Sequence, residues 1–302
     1  MNLRRIRPEY WLFLASILWG TSWIPVRQIA AGGWDGGMAT VAGCTLAAVA
    51  LLPFALRDWR RAIAPGARVY VAAFLIAIGI TFYFEGMARG YVARVVLLFY
   101  LMPIWSVLFG RIVNGDPITV PRMLGVAMGL GGMLVVFWDG GIPLPESLAD
   151  GMALAGGVSW ALAFALLARP GMQEKTFGLL FTTMIMLPPQ LYLLALLPGP
   201  RAEAMALAGG GSMAMAAWLA AFAFLWLLPA ILLSLYGASR LHAAQAALLF
   251  MMEVVIAISS AALLIDEPFG LREMLGATLI VGASLLELAS GAARTDGSQP
   301  SG

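Results

Sequence analysis

Apolar runs long enough to cross a bilayer follow one another along this chain, each broken off by a few polar or turn-forming residues. Spans are predicted over residues 10–31, 36–56, 67–88, 92–113, 121–138, 148–168, 175–197, 213–237, 242–264 and 270–290, because a helix needs about 20 mainly apolar residues to traverse the hydrocarbon core. The punctuation is turn chemistry: GGWDGG (32–37), LRDWRRAIAPGAR (56–68), NGDP (114–117), WDGGIPLPES (138–147), ARPGMQEK (168–175), PGPRAE (198–203) and IDEPFG (265–270). The third-to-fourth and eighth-to-ninth connections are tight, marked by Arg89-Gly90 and Arg240-Leu241. The expected fold is an all-α integral membrane protein of ten transmembrane helices.

The residues from Gly86 to Gly131 recur without a gap 151 positions later. Pro117 matches Pro268, Met123-Leu124-Gly125 matches Met274-Leu275-Gly276, and Leu97-Leu98-Phe99 matches Leu248-Leu249-Phe250. Gly86 and Arg89 match Gly237 and Arg240. An internal repeat in a membrane chain is the usual architecture of a secondary transporter. Five spans fall in each half, and an odd number makes the second half enter the membrane from the opposite side. The repeats are therefore expected to be inverted, which builds two gates around one central site. Trp19 matches Trp160 at the different offset of 141, so the second half carries about ten more residues, placed around 198–211. The expected organisation is a basic cytoplasmic N-terminus (1–9), a first repeat (10–138), a periplasmic linker (139–147), a second repeat (148–290) and a disordered cytoplasmic tail (291–302).

Composition narrows the function. The chain has 302 residues, 61% of them hydrophobic and 11% charged, against about 25% charged in a soluble protein. A net charge of +2, spread along the chain, argues against a nucleic-acid partner. Cys44 stands alone and excludes an intrachain disulfide, and nothing suggests a metal or other cofactor. No zinc-protease, P-loop or nucleophile-elbow motif occurs, and one His in 302 residues is poor material for an integral enzyme. ATP-driven transport would need a separate chain. Lys and Arg set the orientation: 13 fall on the side of the N-terminus and 4 (Arg89, Arg94, Arg201, Arg272) on the other, so both termini are expected in the cytoplasm.

WGTSWIPVR (19–27) on the first span, with the Asp/Glu-Pro dipeptides and the Leu-Gly…Gly segments opening the fifth and tenth, resembles the drug/metabolite transporter superfamily, EamA type. Within it the chain looks most like the bacterial inner-membrane exporters of aromatic amino acids. The resemblance covers about residues 10–290. It implies a central cavity lined mainly by spans three, four, eight and nine, with one and six at its sides, and it implies export of a small metabolite by alternating access. It needs no cofactor and no partner beyond substrate and bilayer, and one chain can form a complete pathway. Asp116 stands where the family pattern has Glu.

Polar side chains inside a membrane are costly unless they face the bundle interior or water. Glu253, mid-span in the ninth helix, is either a substrate-ammonium or proton site, or a structural ion pair. Glu85 lies one turn before Arg89 and reads as an i,i+4 surface pair or a site. Glu287 reads as interfacial. Gln245 suits either a zwitterion or an interhelical hydrogen bond. His242, at a helix start, is expected to face water. Trp19, Tyr83, Tyr100 and Trp160 lie inside spans rather than at belt positions, so they either stack on cargo or fill core. Trp11, Trp34, Trp59 and Trp138, at span ends, read as belt anchors. Pro25, Pro103 and Pro229 interrupt spans one, four and eight, as hinges or as static kinks. Gly125-Gly129 and Gly151-Ala155 read as close helix contacts. The candidate site is thus Trp19, Tyr83, Tyr100, Trp160, Gln245 and Glu253. The alternative cargo to an aromatic amino acid is a drug cation or purine-like metabolite, with Glu253 the carrier if protons are coupled.

Overall fold

The computed structural model describes residues 7–34, 36–63, 66–138, 144–195 and 213–296, and every regular element in them is helical. The extra residues around 198–211, most of the 139–147 linker, and residues 1–6 and 297–302 lie outside the described residues. In chain order the helices are α1 (Pro8–Gly20), α2 (Trp23–Ala31), α3 (Gly36–Arg57), α4 (Trp59–Ile63), α5 (Ala67–Arg89), α6 (Val92–Phe99), α7 (Met102–Phe109), α8 (Val120–Phe137), α9 (Leu148–Leu167), α10 (Thr176–Ala195), α11 (Met213–Ala221), α12 (Leu228–Ala238), α13 (Ala243–Phe250), α14 (Met252–Ile265) and α15 (Leu271–Asp296). π-helical segments, Gly110–Asn114 and Phe222–Leu227, continue α7 and join α11 to α12. Seven helical stretches among the described residues are long and apolar enough to cross a membrane. Their lipid-facing sides carry exposed Val, Leu, Ile and Phe, such as Val49, Phe54, Ile112 and Leu263.

Local chemistry explains the ends. Ser147 caps α9: its hydroxyl accepts from the Asp150 N–H at 3.2 Å while the Asp150 carboxylate accepts from the Ser147 N–H at 3.1 Å. This reciprocal box satisfies two donors that a helix start leaves open. Pro8 begins α1, Pro103 is the second residue of α7 and Pro229 the second of α12, where the missing proline N–H costs nothing. Pro25 lies in the first turn of α2. The three expected hinge prolines therefore stand just after interruptions: the turn at Thr21-Ser22, the turn at Tyr100-Leu101, and the π segment before α12. Spans one and four are two half-helices each, and so is span nine, which breaks at Met251 with no proline at the break. α15 continues six residues past its expected end at 290, to Asp296.

The duplication is visible in backbone and packing. Gly115, closing the first repeat's fourth span, is left-handed (φ 74°, ψ 18°). Asp266, its counterpart 151 residues on, is left-handed too (φ 53°, ψ 33°), a conformation a short polar side chain tolerates. The Asp116 N–H donates to the Gly110 carbonyl at 3.1 Å, and the Glu267 N–H to the Ala261 carbonyl at 3.5 Å: one hydrogen bond, made in both repeats. α8 and α15 cross tightly through small residues. A Cβ on Gly132 would stand 2.6 Å from the Gly276 carbonyl oxygen, and one on Gly125 would stand 3.5 Å from that of Ala283. Gly125 corresponds to Gly276, and Gly132 to Ala283, so exchanging the repeats maps one contact onto the other. Early residues of α8 meet late residues of α15. Equivalent helices therefore run antiparallel, as an inverted repeat requires. Gly129 abuts the Met251 sulfur, whereas Gly151 has nothing within 4 Å, so the second small-residue run does not pack as expected.

Glu287 is not interfacial either. It is 3% exposed and receives Arg122 Nε at 3.2 Å and an Arg122 terminal nitrogen at 3.1 Å, across α8 and α15. Arg122 also donates to the Pro117 carbonyl at 3.0 Å. Hydropathy alone reads a Glu near a span end as wetted; the neighbouring helix buries it.

Candidate functional site: an aromatic cavity between the repeats

The half-helix breaks lie at equivalent places. α6 ends at Phe99 and α13 at Phe250, 151 residues apart. Both rings point into one cavity, with Trp19 of α1 and Trp160 of α9, a second equivalent pair. Ile80, Tyr83 and Phe84, at i, i+3 and i+4 on α5, supply one side, and Glu253 of α14 completes the lining. The void is a narrow one and opens to the outside on one side.

The aromatics are locked by one another. Tyr83 and Phe99 lie 4.5 Å apart between ring centroids, Trp160 and Phe250 5.0 Å, and Trp160 and Phe164 5.4 Å. Both indole N–H groups are spent inside the protein. Trp19 Nε1 donates to Ser234 Oγ at 3.2 Å, and Trp160 Nε1 to the Ile76 carbonyl at 3.2 Å. Each Trp thus offers cargo a ring rather than a donor. Trp160 reaches this position because α5 and α9 touch backbone to backbone: a Cβ on Gly156 would stand 3.1 Å from the Gly79 carbonyl, and one on Gly79 would strike the indole itself.

Charge is one-sided. Among the lining residues Glu253 is the single carboxyl group, and none is Lys, Arg or His. Away from bulk water such a carboxylate attracts a cation far more strongly than a surface carboxylate does. Among the described residues no group of three or more His, Cys, Asp and Glu side chains could hold a metal ion.

Of the residues expected from the sequence, the structure brings Trp19, Tyr83, Trp160 and Glu253 together in the lining. Tyr100 is fully buried behind it, packed edge-on against Phe99 at 5.5 Å. Gln245 is 6% exposed on α13 and is not among the lining residues. Glu85 pairs with Arg89 at 3.0 Å, one turn away, instead of facing the cavity. Ile80, Phe84, Phe99 and Phe250 were not singled out in the sequence. Phe99 and Phe250 did carry a signal, as a matched aromatic pair inside the repeat; Ile80 and Phe84 carried none.

A duplicated helical membrane bundle, with an aromatic-lined cavity at broken helices between its halves, belongs to the class of proteins that carry small molecules across membranes. The EamA-like transporter family matches this chain twice, over residues 7–138 and 147–288. The chain belongs to that family, within the drug/metabolite transporter superfamily. A solved structure described as "Crystal structure of protein" has the same fold, with a TM-score of 0.76 at 18% identity, covering 93% of this chain and 97% of that one. No curated protein sequence matches the chain.

Proposed function

We propose that this protein is a secondary transporter, crossing the bacterial inner membrane ten times with both termini in the cytoplasm, and that it exports aromatic and other large apolar amino acids by alternating access. The observation that carries this reading is the cavity lining itself: six aromatic rings and one carboxyl group around one space. Flat apolar cargo stacks between Trp19, Trp160, Phe99 and Phe250, and its ammonium faces Glu253, with the Tyr83 hydroxyl for its remaining polar atoms. Aromatic stacking and one ion contact hold cargo firmly enough to select it and loosely enough to release it.

A second reading, a hydrophobic amine or drug cation, is favoured by one feature. The lining has an anionic group and no cationic one to meet a substrate carboxylate. Purine-like cargo lacks that support.

Efflux of a preloaded radiolabelled aromatic amino acid from proteoliposomes, with and without an imposed pH gradient, separates these readings. Efflux competed by other aromatic amino acids supports the first. Efflux of an aryl-alkyl amine that zwitterions do not compete supports the second. Flux of neither class removes both. Flux that needs the gradient and is lost in Glu253→Gln identifies that carboxylate as the proton carrier.

A further inference from the structure

The two repeats make the same loops and helices, yet they close the bundle at one end only. At the Asp116 end, α13 packs against α7 and α9 of the membrane bundle. Repeat exchange turns those two contacts into α6 on α14 and α6 on α1, and neither of these pairs is packed. Polar contacts follow the same rule. His242 Nδ1 lies 3.0 Å from Asp116 Oδ1, joining the second repeat to the first. Beside it, Asn114 Nδ2 donates to the Ala165 carbonyl at 2.9 Å and Arg169 to the Val113 carbonyl at 3.0 Å, again between repeats.

The counterparts of this cluster stand open. His242 corresponds to Tyr91 and Asp116 to Glu267, both at the offset of 151. Tyr91 is 57% exposed and Glu267 is exposed as well, and no hydrogen bond joins them among the described residues. Arg169 corresponds to Gln28 at the offset of 141, and Gln28 is exposed. The backbone of the two loops is equivalent, as Gly115 and Asp266 and their shared hydrogen bond show, so the difference does not come from loop conformation. It comes from which half-helices pack on one another. α13 and α7 seal the space between the cavity and the Asp116 end, while α6 and α14 leave the other approach unsealed.

We propose that Asp116 and His242 form a latch closing one mouth of the cavity, and that Tyr91 and Glu267 meet to close the other mouth when that latch parts. An inverted repeat supplies the reason: the alternate state is reached when each half adopts the other's arrangement. A phenol and a carboxylate can form the same hydrogen bond as an imidazole and a carboxylate. With the orientation set by Lys and Arg, the latched mouth is cytoplasmic and the structure is open outward. The inference rests on the transport reading for its flux readout, but its geometry can be tested without any cargo.

The single native thiol makes the test clean. In a Cys44→Ala background, Asp116→Cys with His242→Cys, and separately Tyr91→Cys with Glu267→Cys, are reconstituted and oxidised in proteoliposomes. The first pair is expected to cross-link rapidly and the second slowly. Adding His242→Ala to the second pair removes the latch and is expected to speed its cross-linking on the order of tenfold, the size of a modest population shift. Cross-linking the first pair is expected to stop flux, with recovery on reduction. The proposal is overturned if the cross-linked first pair still carries cargo, or if the second pair never cross-links even without the latch. Absence of flux in every variant, with the cross-linking pattern as expected, would count against the proposed cargo and leave the latch standing.

Discussion

Glu253 occupies in the second repeat the position that Met102 holds in the first, 151 residues earlier. Met102 is fully buried, whereas Glu253 lines the cavity. The aromatic wall of the site is paired, Trp19 with Trp160 and Phe99 with Phe250, but its charge is not. Where the fold repeats itself it builds walls and gates, and where the repeats differ it builds recognition. Tyr83 follows the same logic, since its counterpart is Ser234, which serves the Trp19 indole instead of the cavity.

Replacing Glu253 by Gln keeps the shape and removes the charge. Uptake of an amine-bearing cargo should fall about tenfold or more, the equivalent of ~1.4 kcal/mol of lost attraction. Placing a second carboxylate at Met102 in that variant should not restore it, because Met102 is buried. Binding of a labelled amine to purified protein checks both.

Trp160→Ala removes one face of the stack and opens space against Phe164 and Phe250. The Michaelis constant for aromatic cargo should rise by about tenfold, and Trp160→Phe should recover most of it, since an aromatic face contributes ~0.5–1.5 kcal/mol beyond area. An equal loss in both variants would point to the Ile76 hydrogen bond rather than to stacking.

Ser234→Ala leaves the Trp19 N–H without its acceptor. An unpaired buried donor costs about 1–3 kcal/mol, so the indole should reorient, and Trp fluorescence of the apo protein should shift. Ser234→Thr should hold the wild-type spectrum.

Gly276→Leu would drive a side chain into Gly132 and Val136, where a Cβ alone already stands 2.8 Å from the Gly132 oxygen. The α8–α15 crossing must open, and the melting temperature in detergent should drop by several degrees, consistent with ~1–3 kcal/mol of overpacking. Gly131→Leu, at a position with nothing within 4 Å, is the control and should melt like wild type.

Glu287→Gln leaves the buried Arg122 guanidinium without the carboxylate it pairs with. Removing one partner of a buried pair costs about 3–5 kcal/mol, while replacing both by apolar residues is often neutral. Glu287→Gln should therefore lower thermal stability sharply, and Arg122→Met with Glu287→Leu should restore it.

Much of this protein was written in the order of its residues. Helices are expected from runs of about 20 apolar residues, and where the ends are described they agree to within two positions, except that α15 continues to Asp296. The duplication follows from the matched Gly, Pro and Phe of residues 86–131 and 237–282. The odd number of spans expected in each half implies opposed halves, and the α8–α15 crossing is antiparallel. Trp19, Tyr83, Trp160 and Glu253 stood out because polar and amphipathic side chains in mid-span need a reason. Tertiary structure decided what sequence spacing cannot carry. Ile80 and Phe84 look like any lipid-facing residue until α5 is rotated toward α9 by the Gly79–Gly156 contact. Gln245 and Glu287 look available until neighbouring helices cover them. The repeat is the same in both halves of the sequence, so the sequence alone has no means of saying which mouth is shut. That choice lies in which half-helices pack together, α13 on α7 and α9, a matter of many side-chain contacts, and Asp116 and His242 sit where it is expressed.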